Sequence, residues 1–259
     1  RQVKPIKLEM SSVEKTVYTS ATNAIIDHAY MNELPVGFLT VTPQRMLASC
    51  MPATVQHWRK RAQNLGYEDS DNFDEVSVGP LIQALSVVAN DFPSQDLLEE
   101  NDTKFNGLIH ELREHFIEKP QEKIIVFSTF RPTLEYLQRR LSKSGVSCLL
   151  MHGKTEDRTA AVDTFKNDPS VRVFLSSEVG SEGIDLQFAR CVVNYDLPWN
   201  PMRVEQRIGR VDRLGQASAS ISVINIFHSE TIDDRIYSKL YDRLKLCETA
   251  LGGFEDILG

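Results

Sequence analysis

The sequence has little cysteine, and what it has is unpaired. Cys50, Cys148, Cys191 and Cys247 lie far apart with no C-x-x-C among them, which argues against a zinc ribbon or a disulfide scaffold. Free core thiols in a reducing compartment are expected. The six histidines show no ligand spacing either, and His110 and His115, five apart on an expected helix, fall on different faces; no metal site is expected. Positive charge is also in deficit. Lys and Arg number 29 against 36 Asp and Glu, a net charge of −7, so no global basic field points to nucleic acid and any polyanion site must be a local patch. No signal peptide and no run of about 18 apolar residues is present, so no membrane contact is expected and the chain reads as cytoplasmic. Internal repeats and low-complexity tracts are missing as well. The chain opens on Arg1 rather than methionine and is expected to be a fragment of a longer protein.

A phosphate loop is missing too. HGKT at 152–155 ends as such a loop does, but G-x-x-x-x-G-K-[ST] requires glycine at 148, where this chain has Cys148 inside an apolar run. A strand-to-helix turn with Gly153 at its bend is the reading that remains. An apolar run ending in paired acids is likewise absent, since VVNYD at 192–196 ends on Asp196 alone.

What is present is an ordinary globular composition, with 259 residues, 41% hydrophobic and 25% charged. That suffices for one large or two modest domains. From about residue 121 short apolar runs recur: KIIVFS (123–128), VSCLLMH (146–152), VRVFLSS (171–177), CVVNYD (191–196) and ISVINIF (221–227). They are nearly continuous rather than alternating, as suits strands buried on both faces. Helical stretches alternate with them. PTLEYLQRRLSK carries Leu134, Leu137 and Leu141 on one stripe, and EDRTAAVDTFKND carries Ala161, Val162 and Phe165. The order predicts βαβ units in an α/β fold, a doubly wound parallel sheet with helices on both faces. Ligands of such sheets bind beyond the carboxyl ends of the strands.

Residues 1–119 read as mostly helical. SSVEKTVYTSATNAIIDHAYMN opens with a capping box, Ser11 against Glu14, and ATVQHWRKRAQN, PLIQALSVVANDF and KFNGLIHELREHF follow as further helices. An acidic loop is expected near 67–79. Residues 120–230 form the sheet domain. Residues 231–259 form a final helix, with Thr231 as N-cap and Ile236, Leu240, Leu244 and Cys247 as its buried stripe.

Two loops hold candidate chemistry. SSEVGSEGID (176–185) places Gly180 and Gly183 among serines and ends in Asp185. Its hydroxyls and N–H groups could hold phosphate and its carboxylate could accept from ribose, although a connecting loop would read the same. QRIGRVDRLGQ (206–216) places Arg207, Arg210 and Arg213 at every third position of an expected helix, about 300° apart per step. Arg207 is expected in a local ion pair with Glu205. The others exceed that bland reading. A guanidinium keeps its charge and meets phosphate oxygens two at a time, as stabilising a transferring phosphoryl group requires. A basic patch for a nucleic-acid backbone is the other functional reading.

The series KIIVFSTF, MHGKTEDR, FLSSEVGSEGIDLQFA, YDLPWNP and EQRIGRVDRLGQ resembles motifs IV to VI of a superfamily 2 helicase or translocase, in its second RecA-like lobe. The Asp-x-x-Trp-Asn-Pro turn resembles Swi/Snf-type ATPases, and SSEVGSEG with the intact arginine motif resembles the bacterial RapA-like branch most closely. The resemblance spans 123–251, and extends faintly to KLEMSSVEKTVY and DTKFNGLIHEL. It implies that Arg210 and Arg213 are arginine fingers, with Gln206 beside them, and that Gly183 and Asp185 approach the ATP ribose. It implies that Ser128, Thr129, Gly153 and Ser177 line a nucleic-acid backbone. ATP and Mg would be held mainly by a first RecA-like lobe of the same protein. Partners so implied are that lobe, a double-stranded nucleic acid with DNA favoured over RNA, and a DNA-bound protein; a bacterial nucleoid location follows. Glu182 stands where DEAD-box members carry arginine, so their unwinding chemistry is not implied. Asp185 stands where many Swi/Snf members carry asparagine. A non-catalytic RecA-like binding module and a strand-separating helicase are the alternative functions.

Overall fold

Five apolar runs become five strands of one sheet in the computed structural model, which describes residues 1–63, 79–153, 155–212 and 221–240. β2 (Ile124–Phe127), β4 (Val173–Ser176) and β5 (Cys191–Asn194) are buried at every position, as continuous apolar runs in a sheet covered on both faces should be. β3 (Cys148–Met151) and β6 (Ser222–His228) flank them. All pairings are parallel and the order is β1-β6-β5-β2-β4-β3.

The sixth strand is a surprise. β1 (Gln2–Leu8) belongs to the segment expected to be helical, yet it pairs with β6 in register from Gln2 opposite Ser222 to Leu8 opposite His228. Its sequence, QVKPIKL, hides the strand because Pro5 lacks an N–H and most of its side chains face solvent. An edge strand tolerates both.

The helices follow their sequence signals. α1 (Ser12–Met31) begins with the expected capping box, Ser11 Oγ accepting from the Glu14 N–H while the Glu14 carboxylate accepts from the Ser11 N–H. α2 (Val36–Ser49) escapes a sequence reading because Gly37 and Pro43 lie within it. α3 (Met51–Gln63), α4 (Gly79–Val88), α5 (Gln95–Glu100) and α6 (Thr103–Glu118) complete the N-terminal layer. α7 (Arg131–Lys143) buries Leu134, Leu137 and Leu141 as its stripe predicts, and α8 (Arg158–Asn167) buries Phe165. α9 (Pro201–Ile208) follows β5. Residues 232–240 form α10, which buries Ile236 and Leu240; Leu244, Cys247 and the acidic stretch at 67–78 lie outside the described residues. Thr231 precedes α10, but its hydroxyl donates back to the His228 carbonyl.

Helices cover both faces. α6 and α7 pack Leu108, Leu112, Leu134 and Leu137 on one face, against Ile124 and Val126. Phe165 of α8 packs on the other with Ile125, Phe127 and Phe174, joined by Ile208 and Val211. A third core joins α1, α2 and α4 to Leu197 and α10, so the N-terminal helices and the chain's last described helix share one interior. Lys104, only 1% exposed, lies within this junction, its Nζ donating to the Ala48 carbonyl at 2.6 Å and lying 3.4 Å from Asp233. Cys50, Cys148 and Cys191 are free thiols.

Candidate functional site

The carboxyl ends of β2, β4 and β5 converge on one buried carboxylate, Asp196. Its Oδ2 accepts from Ser49 Oγ at 2.8 Å and Ser128 Oγ at 2.5 Å, and its Oδ1 accepts from the Thr129 N–H and hydroxyl, each at 2.9 Å. Ser49 belongs to α2, so the carboxylate also ties the helical layer to the sheet. Burial raises an acid's pKa; here the Arg207 charge, the Ser128 hydroxyl, the Arg45 charge and the Thr129 N–H outweigh it, and Asp196 stays below the ordinary carboxylate range.

Arg207 completes this network, and its place corrects the sequence reading. It is 2% exposed rather than solvated. One guanidinium reaches Glu178 Oε1 at 2.7 Å, Asn194 Oδ1 at 3.1 Å, the Asp196 carbonyl at 2.7 Å and Thr129 Oγ1 at 3.2 Å. Glu205, the expected partner, instead meets Arg1 at 2.7 Å.

The arginine motif also leaves the helix sooner than its spacing suggests. Asn200 caps α9, accepting from the Met202 N–H, and Pro201 fills its first turn. Gly209 ends it, its N–H donating to the Glu205 carbonyl at 2.7 Å. Arg207 therefore turns inward from the last helical turn, while Arg210 sits in the turn beyond, half-buried and without an ion-pair partner among the described residues. Gln206 faces solvent. Arg213 lies outside the described residues.

The loop after β4 is brought to the same place. Leu186, next to Asp185, donates its N–H to the Arg210 carbonyl at 3.1 Å. Gly183 has φ +76°, a left-handed conformation that suits glycine, and nothing lies within 4 Å of where a Cβ would be. Asp185 is exposed, accepting from the Gln187 N–H at 3.1 Å. The bond between Leu186 and Arg210 thus brings the loop that carries Gly183 and Asp185 against the turn that carries Arg210, with Gln206 exposed on the preceding helix. The segment so joined offers open backbone at Gly183, an exposed carboxylate and a cation with no ion-pair partner among the described residues. Among the described residues no group of three or more His, Cys, Asp or Glu is placed to hold a metal ion, and no helix is long and apolar enough to cross a membrane.

Gly180 is fixed by a close approach of backbone. A Cβ there would meet the Met151 carbonyl oxygen at 2.8 Å and His152 Cα at 3.0 Å, neither of which can swing aside. Gly180→Ala is expected to destabilise the fold by about 1–3 kcal/mol, measured by urea denaturation; an unchanged midpoint would contradict this approach.

The four residues expected along a nucleic-acid backbone do adjoin one another, but they differ in what they can offer. Ser128 directs its N–H to the Ser176 carbonyl and its hydroxyl to Asp196, and Thr129 gives both donors to Asp196. Ser128 is fully buried. With their donors occupied, these two shape the strand ends rather than present donors to solvent. Ser177 accepts from the Gly180 N–H at its hydroxyl oxygen, and that hydroxyl donates to no described residue. Gly153 has no partner for its N–H among the described residues.

Residues 103–215 match the family described as the helicase conserved C-terminal domain. Over that stretch the chain is similar to a helicase C-terminal domain. It is 29% identical over 260 residues to an uncharacterized ATP-dependent helicase of Bacillus subtilis, YqhH, a match that takes in all of this chain and 42% of that protein. It is 37% identical over 119 residues to the RNA polymerase-associated protein RapA of Vibrio atlanticus, across 44% of this chain and 12% of that one. The chain thus spans less than half the length of these relatives. The C-terminal part of the Fun30 ATPase domain shares the fold with a TM-score of 0.62 at 19% identity, over 92% of this chain and 88% of that one. The RecA-like α/β architecture expected from the motifs is found, and the likeness to an ATP-dependent helicase and to RapA agrees with the resemblance those motifs carry.

Proposed function

We propose that this lobe is half of a nucleic-acid-dependent ATPase that translocates on a duplex and displaces or remodels a protein bound there. The observation that carries this reading is the bond from the Leu186 N–H to the Arg210 carbonyl. It joins the loop of Gly183 and Asp185 to an arginine whose charge no described residue neutralises. ATP, with Mg, would supply the free energy, held mainly on a first lobe. Arg210 would place its guanidinium on the γ-phosphate oxygens as charge builds there, with Arg213 and Gln206 beside it. Asp185 would accept from the ribose hydroxyls where Gly183 lets the backbone come close. Gly153 and Ser177 would donate to phosphates of the track, in contacts that carry no base sequence, while Ser128 and Thr129 hold those strand ends in position. A duplex, with DNA favoured, and the first lobe are the partners this implies. The relative named RNA polymerase-associated makes a nucleic-acid-bound protein a suitable target, in a cytoplasmic, nucleoid-associated setting.

Steady-state ATP hydrolysis tests the division of labour. The 259-residue chain is expected to show no turnover above buffer, with or without duplex DNA. A protein that joins it to its first lobe is expected to be active and stimulated by duplex. Turnover by the isolated chain approaching that of the joined protein would overturn the reading.

A further inference from the structure

The last turn of α2 is tied to other elements rather than closed on itself. No glycine caps it; Cys50, the residue that follows, is extended. The Ala48 carbonyl, one of those a helix end leaves without an intrahelical partner, accepts instead from the buried Lys104 ammonium of α6 at 2.6 Å. Two side chains of the same turn reach the sheet. Arg45 donates to the Leu197 carbonyl at 3.2 Å, and Ser49 donates to Asp196 Oδ2 at 2.8 Å. Asp196 and Leu197 are consecutive and lie just beyond β5, so the helical layer holds one short segment at a carboxylate and at a carbonyl.

Arg207 holds that segment from α9. Its guanidinium donates to the Asp196 carbonyl at 2.7 Å and lies 3.5 Å from Asp196 Oδ1. An unbroken series of buried groups therefore runs from α2 through Ser49 and Asp196 to Arg207, and none of these three residues is more than 2% exposed. Groups so buried cannot replace a lost partner with water, so displacing one forces the next to follow. Arg210 comes three residues after Arg207, just past Gly209, which ends the helix.

The direction of each bond is fixed. Asp196, held below the ordinary carboxylate range, only accepts, so the single Ser49 proton goes to it. The 3.0 Å contact between Ser49 Oγ and Thr133 Oγ1 of α7 then has the Thr133 hydroxyl as donor. We propose that the last turn of α2 is a positioning device for the arginine turn, with Ser49 as its positioning residue. Through Asp196 and Arg207 the helical layer sets where Arg210 stands, so a displacement of α2 changes ATP turnover without touching nucleotide or nucleic acid. This inference rests on the reading of Arg210 given above.

The test is ATP turnover by the joined two-lobe protein with duplex present. Ser49→Ala should lower kcat by about tenfold, short of the roughly hundredfold that a 1 Å misplacement can cost. KM for ATP should stay within about twofold, since ground-state binding is left alone. The Arg210→Ala background separates positioning from stability. With the positioned group gone, Ser49→Ala should cost nothing further, whereas a loss of folded protein would lower kcat by the same factor in both backgrounds. Thr133→Val, which removes the other bond to the Ser49 hydroxyl and leaves Ser49 donating to Asp196, should keep wild-type kcat. Should Ser49→Ala not fold, Ser49→Cys, similar in size and only a weak donor, carries the same expectation. Wild-type kcat in the Ser49 variant, an equal loss with and without Arg210, or an equal loss in Thr133→Val would each overturn the proposal. Failure of the broader reading shows differently, as a joined protein without turnover or an Arg210→Ala protein that hydrolyses ATP at the normal rate.

Discussion

Arg210→Ala, in a protein that joins this lobe to its nucleotide-holding partner lobe, should lower kcat by roughly 10³-fold while leaving the fold intact. The factor is the loss expected when a finger that meets charge only in the transition state is removed, about 4 kcal/mol. The intact fold follows from the geometry. No described residue pairs with the Arg210 side chain, and the bond that anchors its turn runs from the Leu186 N–H to its backbone carbonyl, which alanine keeps. A substitution without such side-chain ties costs within about 0.5 kcal/mol, so the melting temperature should move by no more than about 2 °C. KM for ATP should change far less than kcat, because an interaction confined to the transition state leaves ground-state binding alone. Arg210→Lys should fall between the two, keeping the charge but losing the planar fork. The measurement is saturating-ATP turnover with duplex present. A kcat within about threefold of wild type, under 1 kcal/mol, would assign Arg210 to structure and leave the proposed site without its chemistry.

How far the sequence reveals this depends on where each residue's partners lie. β2 to β6 are legible because burial on both faces selects continuous apolar runs, a local pattern. β1 is not, because an edge strand with Pro5 has little to bury and takes its meaning from β6, more than two hundred residues away. α9 is legible at its start, through Asn200 and Pro201, but spacing alone carries it past Gly209, where the structure ends it. The site was legible as two separate loops; what joins them is a backbone bond between Leu186 and Arg210 that no side-chain pattern encodes. Arg207 resists a sequence reading for a related reason. Residues two apart on a helix do not face each other, so Glu205 was the wrong partner. Its real partner, Glu178, is 29 positions back, across the β5-β2-β4 order that only the folded sheet supplies.

The burial of Arg207 makes Arg207→Ala the sharpest contrast with Arg210→Ala. Arg207 joins the ends of β2, β4 and β5 through Thr129, Glu178, Asn194 and Asp196. Truncating it leaves the Asp196 carboxyl in a fully buried site without the cation that does most to hold it ionised, and leaves Glu178 with only the exposed Arg203, at 3.0 Å, among the described residues. Breaking a buried pair by removing one partner costs about 3–5 kcal/mol, because the orphaned charge stays behind. Part of the guanidinium's packing over Phe127 is lost as well. For a chain of this size the melting temperature should fall by on the order of 10 °C. Arg207→Lys should recover only part of this, since one ammonium on a flexible stem cannot span acceptors on four residues. A second variant separates cause from bulk: Glu178→Gln keeps the size of the side chain and removes one of the two acids, so adding it to Arg207→Ala should restore part of the lost stability, a coupling read from a double-mutant cycle. Strictly additive effects, or a melting temperature within about 2 °C of wild type for Arg207→Ala, would show that the network does not hold the strand ends together. If instead stability falls as expected, the every-third-residue arginines have divided roles: Arg207 builds the platform from inside, and Arg210, three residues later and past the end of the helix, works from its surface.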